Sequence, residues 1–387
     1  MRQGMYMMFQ KLKQFFAPEQ KRSAAAPIIA WTSAGRPVWT PCNYAALAAE
    51  GFAGNPIGYR AVRMIAEAAS SIPWLAYVDG TEVTDHPALG LLARPNPGQP
   101  GREFLEMLVG FLLVAGNAYA EVVEIDGAPR ELYALRPDRM KAIASANGWP
   151  DGYEYSVNGQ SVRYPRQRIL HLKLFNPLND LYGMSPLEAA RRLIDTHNAA
   201  AAWNKAMLDN SARPSGALVY TASDGHLTTD QFERLKRELE ASYQGAANAG
   251  RPMVLEGRLD WKQMGYSPSE MQFIEAKNAA AREIALAFGV PPMLLGIPGD
   301  NTFSNYAEAN RTFWRQTVLP LASRIAEALT GFLATSFQGL RLTQDLDQVE
   351  ALAQDRDALW SRLEKASFLS EDEKRAAVGY GPKAANG

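Results

Sequence analysis

A second cysteine is missing from this chain, so Cys42 has no intrachain partner and no disulfide can staple the fold. The cores must hold by burial alone, which suits a reducing compartment, and Cys42 is expected as a buried structural residue. Long apolar runs are missing as well. No stretch approaches the roughly 20 residues needed to span a bilayer, so no membrane partner is expected. The segment Met1 to Arg22 looks apolar at first, but Gln10, Lys11, Lys13 and Gln14 interrupt it and exclude a signal-peptide core. A mobile or partner-bound arm is the expectation there. Positive charge is not in excess either: 40 Lys and Arg face 41 Asp and Glu, for a net charge of −1. Such a chain has no global field to hold a polyanion tightly.

Residue patterns that carry chemistry are equally sparse. His86, His171, His197 and His226 lie far apart, without the short spacing of metal ligands. No G-x-x-x-x-G-K-[ST] loop is present. Gly379-Tyr380-Gly381-Pro382-Lys383-Ala384 spells a dinucleotide fingerprint, but it follows no strand and only a few residues remain after it. Ser185 is no nucleophile elbow, since Leu187 stands where a glycine is required. No catalytic residue, metal site or cofactor is assigned, and no enzyme is expected.

What is present is a chain of 387 residues, 47% hydrophobic and 21% charged, long enough for two or three cores. Asn55-Pro56 opens a helix with Val62, Ile65, Ala66 and Ala69 on one face, ending before Pro73. Trp74 to Val78 alternates as a strand, and Glu103 to Val114 is an apolar helix that must be buried. A run of short strands follows: Ala118 to Ile125, Arg130 to Leu135, Met140 to Ala144, Tyr153 to Val157, Ser161 to Tyr164 and Ile169 to Phe175. Asp126-Gly127, Asn147-Gly148 and Asn158-Gly159 between them are strong hairpin signals, and the region reads as antiparallel β. Ser185-Pro186-Leu187-Glu188 and Ser267-Pro268-Ser269-Glu270 share one helix-capping grammar. Each starts a long helix. Between them lie an apolar strand Ala217 to Tyr220, a charged helix from Thr228 or Thr229 to Tyr243, and strands at Pro252 to Leu255 and Leu259 to Met264. The second long helix carries Ile274, Ala281, Ile284, Ala285 and Phe288 before Gly289-Val290-Pro291-Pro292 stops it. A glycine- and proline-rich loop then leads into another helix, bent at Leu319-Pro320.

In this order, the stretch Ser267 to Leu333 resembles the second stem helix, tunnel loop and tunnel helix of a tailed-phage portal protein of the Hong Kong 97 type. Three further phrases resemble the same family: Gly116-Asn117-Ala118-Tyr119, Leu132-Tyr133-Ala134-Leu135-Arg136-Pro137-Asp138-Arg139, and His171 through Tyr182-Gly183-Met184-Ser185-Pro186-Leu187. The likeness covers about Asn55 to Leu340. It implies an α+β portal fold with an N-terminal arm at 1–54, a wing domain at 55–185, stem helix 1 at 186–213 and a clip at 214–266. Stem helix 2 follows at 267–289, the tunnel loop at 290–304, tunnel helix and wing at 305–342, and a crown and C-terminal tail at 343–387.

The resemblance further implies a homo-oligomeric ring, a dodecamer, at one capsid vertex of a phage or gene transfer agent, assembled in the host cytoplasm. Its partners would be the large terminase subunit, a head–tail adaptor protein, the major capsid protein, and double-stranded DNA passing through the channel. Candidates to face the DNA are Ile297, Pro298, Asp300, Asn301, Thr302, Phe303, Ser304 and Asn305. Candidates to dock the motor or connector are Asp230, Glu233, Arg234, Arg237 and Glu240. Two other readings compete: a nucleic-acid-processing enzyme, and a non-ring adaptor that binds only protein partners.

Overall fold

Asn55 shows how the sequence begins the fold. Its side-chain oxygen accepts the N–H groups of Ile57 and Gly58 at 3.1 and 3.0 Å, satisfying donors that a helix start leaves open. Helix α2 (Pro56–Ser70) follows, preceded by α1 (Tyr44–Ala46), which continues as π-helical Leu47–Ala53. Residues 44–53 were expected within an extended arm. They are helical instead because Leu47 and Gly51 are buried against α2 and the helix that starts at Pro186, and tertiary burial overrides weak local pattern. Cys42, just before α1, is exposed, which corrects the buried role expected of it.

This computed structural model describes residues 37–209, 216–220, 230, 233–234, 236–237, 259–263, 273–298 and 303–378. Met1 to Arg22, the Ser267 cap, Pro252 to Leu255, His226 and the Gly379 motif lie outside them. After α2 come β1 (Trp74–Val78), β2 (Thr81–Val83), α3 (Pro87–Ala93) and α4 (Gly101–Ala115). Strands β3 (Asn117–Ile125), β4 (Ala128–Leu135), β5 (Met140–Ala144), β6 (Pro150–Val157), β7 (Gln160–Pro165) and β8 (Ile169–Lys173) follow. They form two antiparallel sheets, β4-β3-β8 and β5-β6-β7. Two of the hairpin dipeptides act as their sequence demands, Asp126 and Gly127 with φ of 55° and 74°, Asn158 and Gly159 of 51° and 79°; at Asn147-Gly148 only the glycine is left-handed, with φ of 84°.

The helices beyond are α5 (Pro186–Asp209) and α6 (Phe273–Ala287), with the small antiparallel pair β9 (Gly216–Tyr220) and β10 (Leu259–Gln263) between them in sequence. Helix α7 (Phe303–Phe313) runs through a π-helical stretch, Trp314–Val318, into α8 (Leu319–Leu333). The π stretch lies just ahead of Pro320, whose missing N–H and ring contact with the preceding turn disrupt a regular α ladder. Strand β11 (Leu340–Gln344) was not expected from the sequence and pairs with β1, giving the order β11-β1-β2. Helices α9 (Ala353–Glu364) and α10 (Glu371–Ala377) end the described chain.

The main core joins α2, α4, α8 and the inner ends of α5 and α6 through Ile65, Leu108, Leu112, Leu187, Ile194, Ile284, Phe288 and Leu329. Each of these buried side chains contributes roughly 1.5–3 kcal/mol. A second cluster, Tyr119, Leu135, Met140, Ala142, Tyr153 and Ile169, fills the space between the two β sheets.

Candidate functional site

The phrases singled out in the sequence meet in space. Gly116 ends α4 with a left-handed φ of 72°, and its carbonyl accepts the Leu174 N–H at 2.8 Å. Gly183 packs so closely opposite that a Cβ on it would lie 2.1 Å from that same carbonyl oxygen. Asn117 closes the junction: its Oδ1 accepts the Gly183 N–H at 2.8 Å and lies 3.1 Å from His171 Nε2, while its Nδ2 donates to the Ala115 carbonyl at 2.9 Å. His171 stacks on Tyr119 with ring centroids 4.3 Å apart, and the Tyr153 hydroxyl lies 3.3 Å from its Nδ1. With Nε2 donating to Asn117 and Nδ1 accepting from Tyr153, the imidazole is neutral. Burial, helped by the Lys173 charge, pushes its pKa down to about 3. This histidine holds a shape and moves no proton near neutral pH.

Two residues past Gly183, Ser185 caps α5 by accepting the Glu188 N–H at 2.9 Å. The junction therefore fixes where α5 leaves the β sheets. Along α5 the described buried side chains are Leu187, Ala190, Ile194, His197 and Ala200, and α6 packs beside it. His197 accepts from Asn55 Nδ2 at 3.1 Å, and burial, aided by Lys277 on α6, lowers its pKa. Asn55 also donates to Asn198 at 2.8 Å, and Asn198 donates to the Glu50 carbonyl at 3.1 Å. Two asparagines, Asn55 and Asn198, thus tie α2, α5 and the π-helical stretch after α1 together.

At the far end of α6, Phe288 and Val290 return to the core, and a short 3₁₀ turn, Pro292–Leu295, starts the loop. Ile297 is only 4% exposed and packs with Ala281 and Ala285. It anchors the loop inside its own subunit, which corrects its place among the candidates to face DNA. Pro298 is exposed, and its carbonyl accepts from the Arg282 guanidinium. Asp300, Asn301 and Thr302 lie outside the described residues; Phe303, Ser304 and Asn305 are in the first turn of α7. Of the docking candidates, Asp230, Glu233, Arg234 and Arg237 are helical and exposed, whereas Glu240 lies outside the described residues. Arg282 is a residue that sequence reasoning missed. Its only signal was a cation one turn before the helix stop. Asp355 was also missed: it pairs with Arg311 at 3.5 Å and Arg315 at 3.9 Å, linking α9 to the helix that follows the loop.

Tight glycine contacts and a buried, hydrogen-bonded asparagine therefore hold the junction from which α5 starts. The chain belongs to the phage portal protein family, whose model matches residues 56–379. A chain in the neck of the native gene transfer agent particle, determined with C12 symmetry, is 52% identical, with 90% of this chain and 97% of that one covered and a TM-score of 0.69. An uncharacterized protein of Rickettsia bellii is 42% identical over 86% of this chain and 88% of its own. The probable portal protein of Streptomyces phage phiC31 is 27% identical over 84% of this chain and 74% of its own. The α+β portal fold, the portal role and the structural rather than enzymatic character expected from the sequence agree with these findings.

Proposed function

We propose that this portal protein closes into a ring of twelve copies at one vertex of a phage-like capsid, of the kind found in gene transfer agent particles. The ring axis is the channel through which double-stranded DNA enters and leaves. The observation that carries this reading is the 52% identity, over nearly the whole chain, to a component of a particle neck with C12 symmetry. A physical argument supports it. Ile274 and Leu286 on α6 and Tyr306 on α7 are 70%, 77% and 52% exposed, and such apolar groups on long helices are covered when neighbours pack around a closed axis.

In this ring, residues 186–213 and 267–289 are the stem, 214–266 the clip, 290–304 the tunnel loop and 343–387 the crown. The clip helix presents Asp230, Glu233, Arg234, Arg237 and Glu240 to the large terminase subunit and later to a head–tail adaptor. The wing contacts the major capsid protein. Pro298 and the residues from Asp300 to Asn305 line the channel, where an uncharged or weakly acidic surface slides along phosphates without the counterion-releasing grip of a basic one. The test is negative-stain imaging with a mass measurement on purified protein. Rings of twelve times the 42.5 kDa subunit mass are expected, and monomer at every concentration would overturn the reading.

A further inference from the structure

A cavity of about 510 Å³ opens between the turn joining β5 to β6, the chain leaving β8, and α8. Trp149 and Phe175 line it and are 62% and 80% exposed. Large aromatic groups left open side by side mark a surface that packs against a partner. Lys173, Asp180 and Arg324 line the cavity too, which leaves one cation in excess. The Lys173 ammonium donates to the Asp180 carbonyl oxygen, whereas the exposed Arg324 makes none of the ion pairs found among the described residues. The cavity thus sets an apolar wall beside a guanidinium, the side chain best suited to hold a carboxylate.

A group of matching chemistry stands on the same chain. Phe368, in the turn between α9 and α10, is 84% exposed and belongs to none of the buried clusters found among the described residues. Glu371 opens α10 just beyond it, exposed and likewise outside the ion pairs found among those residues. A capping box orders the backbone between the two: the Ser370 hydroxyl accepts the Glu373 N–H at 3.3 Å, and the Glu373 carboxylate accepts the Ser370 N–H at 2.8 Å. A turn ordered in advance gives up little freedom on docking. Neither Phe368 nor Glu371 lines the cavity of its own subunit, so the folded subunit leaves both halves of the match open. A contact between two different patches of identical chains runs head to tail, and repeated around an axis it closes a ring.

We propose that this cavity takes Phe368 of a second copy of the chain, with that copy's Glu371 set against Arg324, as a head-to-tail contact between neighbours; the contact rests on the ring reading above. The test is made on the full chain carrying Cys42→Ser, which removes the exposed native thiol. Chains with Trp149→Cys and chains with Phe368→Cys are produced together and treated with a short bismaleimide. Covalent pairs joining one of each kind are expected, with neither kind linking when produced alone. In the parent background, Phe368→Ala, Arg324→Glu and Glu371→Arg should each raise the concentration at which rings fall apart by about tenfold or more. Arg324→Glu combined with Glu371→Arg should restore most of that loss. All of these positions are exposed, so an unchanged melting curve of the subunit shows that the loss is not unfolding. Rings that form without the mixed cross-link, or that are indifferent to all three substitutions, would overturn the contact and leave the cavity to a partner other than this chain. So would a link formed only within a single chain carrying both cysteines, the result expected if Phe368 folds back on its own subunit. A parent chain that stays monomeric would overturn the ring reading and this contact with it, a separate outcome read before any cross-linking.

Discussion

The junction around Gly183 and the outer faces of α6 and α7 are built on opposite plans. At the junction the backbone is enclosed: Gly116 and Gly183 are buried, and Asn117 is 6% exposed, makes hydrogen bonds through both side-chain atoms, and shares its acceptor with the neutral His171. On α6 the inward face carries Ala280, Ala281, Ile284 and Ala285, small and few, while Ile274 and Leu286 point away from the core. The difference separates two tasks. The junction fixes where α5 starts, so its residues answer to folding. In the proposed ring, the outer faces of α6 and α7 are left for other copies, so their residues answer to assembly.

Substitutions break this comparison in a graded way. Gly183→Ala should be the most damaging, because a Cβ 2.1 Å from one backbone oxygen and 2.7 Å from the Leu174 nitrogen cannot be accommodated without moving the chain. A loss of about 4 kcal/mol is expected by denaturant unfolding. Asn117→Ala strips the acceptor from the Gly183 N–H and from His171, and the two orphaned donors should cost about 3 kcal/mol in the same measurement.

His171 supplies a pH test of the same region. Burial holds its folded pKa at about 3 against an ordinary 6.5, so as pH falls the unfolded chain takes the proton first. The contribution to stability is full above 6.5 and is lost as pH drops towards 3, on the order of 3 kcal/mol between pH 7 and pH 4. His171→Phe should flatten that part of the profile while lowering stability at pH 7 through the lost bond to Asn117. An unchanged slope would remove His171 from the account of acid sensitivity. At the small end, Leu286→Ser or Ile274→Ser should shift the unfolding of the subunit by less than ~0.5 kcal/mol, as exposed substitutions do.

Much of the body was legible because its signals are local. Strand Met140–Ala144 and helix Pro56–Ser70 follow from alternation, from an Asn-Pro cap and from a proline beyond the end. Strand β11 escaped notice because Leu340-Arg341-Leu342 is too short to declare itself, and its pairing partner β1 is more than 250 residues away. The helical turn at Tyr44 was hidden in alanine-rich sequence that only packing against α2 and α5 organises. Ile274 fits the periodic stripe of α6 and is nevertheless exposed, because periodicity finds a face but not where along the helix the subunit core stops. For the same reason Ile297 read as a free loop residue. Its burial depends on Ala281 and Ala285, small side chains that open a place for it.

The most direct measurement is made on the double variant Ile274→Ser with Leu286→Ser, comparing thermal unfolding with particle mass at matched concentration. The account predicts an unfolding curve close to that of the parent, with mass shifted from rings towards the 42.5 kDa subunit. Undiminished rings would contradict it, as would a collapse of the fold comparable to that of Gly183→Ala.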